Sequence, residues 1–267
     1  MMDGPPVYFF SDAHFGSHGP AQEELKVQRF HSLLQQAGSC RAEVFFLGDL
    51  FDFWFEYRHW IPKVQLDVLA AIRAFTRAGG TFHLIAGNHD FWAGEYFEKE
   101  LGITLHLDDI TLVRQGMRLH IAHGDGKAPS EIGYRLLRRV LRFRPNVMLY
   151  RLIPADWAYR LARFSSGRSR ELNTRRPNTD FSEYDQAARA ILSSGFDAVI
   201  MGHLHNAWVR RIDGGWWINS GEFYESFDYI ILENGGFRLE SWQPADDAAG
   251  VRPAPGHTES PSAHRPE

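Results

Sequence analysis

Five times along this chain a short apolar run ends at or near a glycine and passes at once into Asp, Asn or His. Val7–Phe10 leads to Ser11-Asp12-Ala13-His14-Phe15-Gly16, and 43–47 leads to Gly48-Asp49. The run 81–86 leads to Gly87-Asn88-His89-Asp90, 118–122 to His123-Gly124-Asp125-Gly126, and Ala198–Met201 to Gly202-His203-Leu204-His205. Runs so short and so rich in β-branched and aromatic residues read as buried strands. Between them lie helical patterns at 22–36, with Leu25, Phe30, Leu33 and Leu34 on one face, and at 63–77. The β-helix-β-helix-β order predicts a layered α/β fold.

In open α/β sheets the carboxyl ends of the strands line the ligand crevice. Five such ends bring Asp12, His14, Asp49, Asn88, His123, His203 and His205 together. In extended chain, residues two apart face one side, so Asp12 pairs with His14 and His203 with His205. The glycines are read as turn residues that swing these side chains out of the sheet. Any one of these polar residues is explained as a turn or a satisfied core group. Five strand ends of the same kind are not.

Seven oxygen and nitrogen donors without a thiolate suit Mn²⁺, Fe²⁺ or Zn²⁺. They are too many for one tetrahedral ion. Two ions sharing a carboxylate fit better, as in two-metal hydrolases.

Composition sets the surroundings. The 267 residues are 44% apolar and 23% charged, with a net charge of −4, so no global basicity argues for nucleic acid. The single Cys40 excludes an internal disulfide and fits a reducing compartment. Residues 1–6 lead straight into a strand, with no basic-then-apolar leader, and no apolar run is long enough to span a bilayer. A cytoplasmic, enzyme-sized chain is expected, and nothing calls for an obligate protein partner. The aromatic stretch 51–57 is expected to pack as core. A helix is expected near 93–101, and hairpins over Gln115-Gly116, Asp213-Gly214-Gly215 and Asn234-Gly235-Gly236. Residues 244–267 are expected to form a disordered tail.

Residues 132–176 stand apart. They hold twelve Arg against Asp156 and Glu171, a local charge of +10 in a chain at −4. Aliphatic and aromatic residues are interleaved, and Pro145 and Pro154 divide the stretch into about three short helices. An ordinary helical subdomain with a solvated basic face is one reading. A nucleic-acid clamp would use Arg with stacking aromatics but would not need so many aliphatics. A lipid-handling cap uses both, Arg for phosphate or anionic headgroups and aliphatics for acyl chains. Burying acyl chain contributes about 0.8 kcal/mol per CH₂, so ten methylenes supply roughly 8 kcal/mol. The apolar content favours lipid.

The ordered set Asp12-x-His14, Gly48-Asp49, Gly87-Asn88-His89-Asp90, His123-Gly124-Asp125 and Gly202-His203-x-His205 resembles the calcineurin-like metallophosphoesterases over about residues 7–242. The resemblance implies a four-layer α/β/β/α sandwich, two sheets flanked by helices, with a di-metal centre on one edge. It implies that Asp12, His14 and His205 hold one ion and Asn88, His123 and His203 the other. Asp49 would bridge, and His89 would steady the phosphoryl oxygens. Each ion would lower the pKa of bound water, for zinc from 15.7 to about 7. Asp90 and Asp125 are expected either to orient ligand imidazoles or to serve turn and cap chemistry.

Gly133-Tyr134, Pro154-x-Asp156-Trp157 and Ser166-Gly167-Arg168-Ser169-Arg170-Glu171, with the 51–57 stretch, resemble the UDP-2,3-diacylglucosamine hydrolases of lipid A synthesis. That family cleaves the pyrophosphate of a lipid-linked UDP-sugar with Mn²⁺, at the cytoplasmic face of the inner membrane. Tyr134, Arg168 and Arg170, with Asn88 and His89, are the implied substrate contacts. The implied division is a core of 1–126 and 177–243 with a helical cap insertion at 127–176. The better-known members have Arg after the motif Asn, where this chain has His89. That difference bears on the substrate and leaves the di-metal chemistry intact. The alternative is a metallophosphoesterase acting on a soluble nucleotide or another phosphodiester.

Overall fold

The computed structural model describes residues 4–63, 66–90, 92–160 and 181–242. One sheet has the order β11-β10-β1-β2-β3-β4 and the other β5-β6-β7-β9-β8. In the first, β1 (Val7–Phe10), β2 (Glu43–Phe46), β3 (Thr81–Ile85) and β4 (Thr104–His106) run parallel. β10 (Asp228–Glu233) joins β1 antiparallel, and β11 (Gly236–Ser241) lies at the edge. In the second, β6 (Met117–Ile121), β7 (Ala198–Met201) and β9 (Gly215–Ser220) are parallel, flanked by β5 (Ile110–Arg114) and β8 (Ala207–Ile212).

The strand period of two builds the layers. From β1 and β2, Tyr8, Phe10, Val44 and Phe46 face a helix layer, while Val7, Phe9 and Phe45 face the second sheet. The helix layer is α1 (Pro20–Ser39), presenting Phe30, Leu33 and Leu34, and α2 (Leu66–Arg77), presenting Val68, Leu69, Ile72 and Phe75. Ile121, Ile200 and Ile218 close the inter-sheet core. On the far face, Val199, Met201 and Trp217 pack under Tyr184, Ala188 and Leu192 of the last described helix, Ser182–Ser193. The result is the expected α/β/β/α sandwich.

Several local expectations shift. Strand β4 has no counterpart in the sequence reading, being three residues that pair only with β3. The helix expected over 93–101 is the shorter α3 (Glu95–Lys99). Gly215 and Gly236 pair within strands, so the hairpin turns are Asp213-Gly214 and Asn234-Gly235, with positive φ at both positions. Two-residue turns of that handedness match strand twist. The division at Pro145 and Pro154 into three short helices holds: Pro145 sits in the first turn of the second, where a backbone N–H has no intrahelical acceptor to lose, and Pro154 precedes the third.

The basic segment provides α4 (Ile132–Arg142), α5 (Arg144–Tyr150) and a helical stretch at 155–160. Its seat is the aromatic loop. Phe51 and Trp54 enter the main core, whereas Phe53 and Phe55 form a separate cluster with Trp92, Val147, Tyr150 and Tyr159. Tyr57 adds a hydrogen bond to the Ile153 carbonyl at 3.1 Å.

Helix α4 reverses the usual amphipathic arrangement, with charge turned in and apolar side chains out. Arg135 donates to the carbonyls of Gly126 and Ala128, Arg138 pairs with Asp125, and Arg142 reaches the Leu107 carbonyl and Asp108. The apolar residues Ile132, Leu136, Leu137 and Val140 face outward, each about half exposed or more. Of the basic face that composition suggested, Arg135, Arg138 and Arg142 are engaged with the core, while Arg139, Arg144, Arg151 and Arg160 are exposed. Among the described residues no helix is long and apolar enough to cross a membrane. Arg168, Arg170 and the tail from 244 lie outside the described residues.

Candidate metal centre at the sheet edges

The backbone that carries the polar strand ends is unusual. Asp12, His14, Asp49, His203 and His205 all have left-handed φ, between 44° and 69°. Non-glycine residues adopt that region at a cost of roughly 1–3 kcal/mol each, and such residues concentrate at functional sites. The extended i, i+2 geometry expected for Asp12/His14 and His203/His205 is therefore absent. The residues converge through tight turns instead.

Two of the motif glycines serve a different purpose from turning. A Cβ on Gly87 would collide with the Asp49 carboxylate, and one on Gly202 would lie 2.8 Å from Asp12 Oδ2. They allow close approach between adjacent strand ends.

The seven side chains form one cluster. Asp49 Oδ2 lies 3.6 Å from His123 Nε2, 3.8 Å from His14 Nε2 and 3.9 Å from His89 Nε2. Asp12 Oδ1 lies 3.2 Å from His205 Nε2 and 3.7 Å from His14 Nε2. Asn88 Oδ1 sits 3.1 Å from His123 Nε2, and the His203 ring meets the His123 ring edge-on at 5.0 Å. Three triads among the described residues have donor atoms close enough to hold an ion: Asp12-His14-His205, Asp12-Asp49-His123 and His14-Asp49-His89. Asp49 and Asp12 each belong to two. The third triad places His89, expected only to steady a phosphoryl group, as near the shared carboxylate as the other imidazoles.

Hydrogen bonds set the imidazole tautomers. His123 Nδ1 donates to the Leu47 carbonyl at 2.6 Å and His89 Nδ1 to the Asp52 carbonyl at 2.7 Å. Each bond turns Nε2 toward the site.

Charge does the rest. Burial alone would raise the Asp12 carboxyl, but His205 beside it brings it down to about 2. Burial likewise opposes ionisation of Asp49, yet His123 and His89 hold it well below the usual carboxylate range. Against burial, Asp49 pulls His123 well above the ordinary imidazole value and Asp12 raises His205. Burial, followed by like charge from His89, pushes His14 well below it.

The donor set fits divalent ions on structural grounds. Asp12 Oδ1 and both ring nitrogens of His14 are buried without a hydrogen-bond partner. A buried polar atom left unpaired costs about 1–3 kcal/mol, so such atoms pointing into one cluster call for a cation.

Asp90 and Asp125 orient no imidazole. Asp90 accepts the backbone N–H groups of Gly87 and Leu50, and burial together with Asp49 pushes it up to about 6. Asp125 accepts from the Tyr134 hydroxyl at 2.6 Å and pairs with Arg138 at 3.2 Å, joining α4 to the His123 turn. Tyr134 thus stands beside the centre with its hydroxyl on Asp125.

Three supporting residues escaped the sequence reading. Asn219, fully buried, donates to the Gly202 carbonyl at 2.5 Å. It follows the same pattern of apolar strand, Asn and nearby glycine, which could have revealed it. Lys26, also fully buried, donates to the His14 carbonyl at 3.0 Å, and Tyr224 meets His205 Nδ1 at 3.0 Å. Neither carries a local signal.

A family model described as calcineurin-like phosphoesterase matches residues 5–207. A UDP-2,3-diacylglucosamine hydrolase of Porphyromonas gingivalis is 33% identical over 171 residues, covering 64% of this chain and 65% of that protein. One of Neisseria meningitidis serogroup C is 28% identical over 232 residues, covering 86% of this chain and 95% of that protein. Among solved structures, an archaeal phosphodiesterase aligns at TM-score 0.46 and 16% identity, over 89% of this chain and 99% of that chain. The family match takes in the strand ends from Asp12 to His205. The chain therefore belongs to the calcineurin-like phosphoesterases and is a metal-dependent hydrolase.

Proposed function

We propose that this hydrolase cleaves the pyrophosphate of UDP-2,3-diacylglucosamine, yielding UMP and 2,3-diacylglucosamine 1-phosphate. Two of its relatives bear the name of that activity. The observation that carries the lipid half of the reading is the outward apolar face of α4, continued by Met148, Leu149, Leu152 and Trp157. The protein also has a cleft of about 1280 Å³, where Trp60, Ile61, Trp92 and Val147 meet Arg144 and Arg151 and also Glu56, Glu95, Glu100 and Asp108. Exposed aliphatics near arginines suit acyl chains carrying a phosphorylated head.

In this reading Asp12, His14 and His205 hold one ion, Asn88, His123 and His203 the other, and Asp49 is shared. Mn²⁺ is the ion proposed, as the resemblance to the UDP-2,3-diacylglucosamine hydrolases implies; the carboxylate, amide and imidazole donors, without thiolate, also suit Fe²⁺ or Zn²⁺. When bound, the pair of ions supplies Lewis acidity toward phosphoryl oxygens and acidifies water. The protein's own contribution is placement. His89, held through Nδ1–H on the Asp52 carbonyl, turns Nε2 toward the site, where it is proposed to steady the phosphoryl oxygens. Asn88 lies beside it on the same turn. Tyr134, Arg168 and Arg170 are proposed to contact the substrate head.

Residues 127–176 are proposed as the cap and 1–126 with 177–243 as the core. The cap is proposed to rest peripherally on an anionic membrane, on the inner face of the inner membrane. The exposed apolar face would enter the interface, with Arg139 and Arg144 left for headgroups.

The test compares UDP-2,3-diacylglucosamine with UDP-glucosamine lacking acyl chains, in Mn²⁺ and detergent, with phosphorus NMR of the products. Cleavage of only the acylated substrate to UMP is expected. Equal cleavage of both, or of neither alongside a generic phosphodiester, would leave a phosphoesterase of other specificity. Binding to anionic vesicles should fall in Leu137→Glu; unchanged binding would sink the membrane contact.

A further inference from the structure

His205 differs from the rest of the cluster in its exposure. Its side chain is 38% accessible, against 7% for His14 and 1% for His123. A ligand so open has little packing to hold its ring, and its left-handed backbone adds strain. Asp12 meets its Nε2 at 3.2 Å and the His14 ring lies 5.4 Å away, while Nδ1 is met by Tyr224 on the β9–β10 loop, whose hydroxyl lies 3.0 Å from it.

Tyr224 is itself fastened from three directions. Its N–H donates to the buried carboxylate of Glu222 at 2.6 Å, and its carbonyl accepts from Gln22 at the start of α1. Its ring stacks on His18 at 5.1 Å and meets His14 edge-on at 6.3 Å. His18 is anchored in turn, since its N–H donates to Glu23 at 2.8 Å and Glu23 pairs with Lys26. The phenol therefore reaches His205 from a fixed platform built on the same turn that carries His14.

We infer that Tyr224 is the positioning residue of His205, holding its ring and tautomer so that Nε2 faces Asp12. With the Nε2 lone pair directed into the site, Nδ1 carries the proton and donates it to the phenolic oxygen. This inference rests on the di-metal reading and adds an asymmetry to it. The ion position of Asp12, His14 and His205 depends on a removable phenol, whereas that of His123 depends on the Leu47 backbone carbonyl.

The experiment is a stepwise calorimetric titration of the chelator-treated full-length chain with Mn²⁺, for wild type and Tyr224→Phe. The Phe variant keeps the stack on His18 and loses only the hydroxyl. The expected result is two ions per wild-type chain, and in Tyr224→Phe one step weakened about 10–100-fold with the other unchanged. Thermal unfolding before Mn²⁺ addition should match wild type. Two steps of wild-type affinity in Tyr224→Phe would overturn the inference while leaving the di-metal reading intact. So would equal weakening of both steps together with an earlier melt, which would mark Tyr224 as structural. A wild-type chain binding fewer than two ions would overturn both.

Discussion

The carboxylate of Asp90 accepts the backbone N–H of Leu50 at 2.8 Å, across forty residues of sequence. The same group accepts the N–H of Gly87 at 2.7 Å, so one buried side chain ties the Asn88-His89 turn to the Asp49 turn. An amide at this position would set an NH₂ against one of two donors. Asp90→Asn is expected to lose about 1–3 kcal/mol, read as a lower urea midpoint. An unchanged midpoint would show that the two turns hold together without it.

Gly87 illustrates a position where size, not backbone freedom, is constrained. Its φ lies outside the left-handed region, yet a Cβ would overlap the Asp49 carboxylate. Gly87→Ala should displace Asp49 and reduce turnover by roughly 100-fold, the scale of a 1 Å misplacement. Circular dichroism should remain near wild type. Wild-type turnover in this variant would mean that Asp49 is not the shared group.

Metal entry should release protons. Asp49 raises His123 and Asp12 raises His205, so both imidazoles carry protons in a range where free histidine would not. An ion must displace them, and affinity should therefore keep climbing with pH above the range where free histidine loses its proton. Calorimetry in buffers of different ionisation enthalpy reads the proton count directly. No dependence on the buffer would exclude this account.

Far from the centre, Glu43 makes a stability prediction. Burial opposes its ionisation, but hydrogen bonds from Arg114 and His83 bring it from 4.5 to about 2. A depressed carboxylate stabilises the fold above its unfolded pKa, and that stability is lost as pH falls through the folded one. Wild type should weaken from about pH 4.5 downward, and Glu43→Gln should flatten that limb. At neutral pH the variant should lose about 1–2 kcal/mol, after screening at the partly exposed Arg114. Parallel urea curves at both pH values would refute it.

What the sequence by itself determined was the alternation of strands and helices, the layered α/β class and the metal-ligand candidates, while the two-sheet sandwich entered through the family resemblance. Strand hydrophobicity has period two and helix burial a period near 3.6, so both are written locally, and each polar strand end sits at a fixed offset from its strand. Tertiary structure alone decided the rest. Gly87 and Asp49 lie 38 residues apart, and only pairing of their strands makes a Cβ between them impossible. Tyr224 and Lys26 look like an ordinary loop tyrosine and an ordinary surface lysine until the loops converge on His205 and His14. In α4 the helical period was legible but its orientation was not. An amphipathic pattern says that two faces differ, and only the partners on the core, Asp125, Asp108 and the Gly126 carbonyl, turned Arg135, Arg138 and Arg142 inward and left the aliphatics outside.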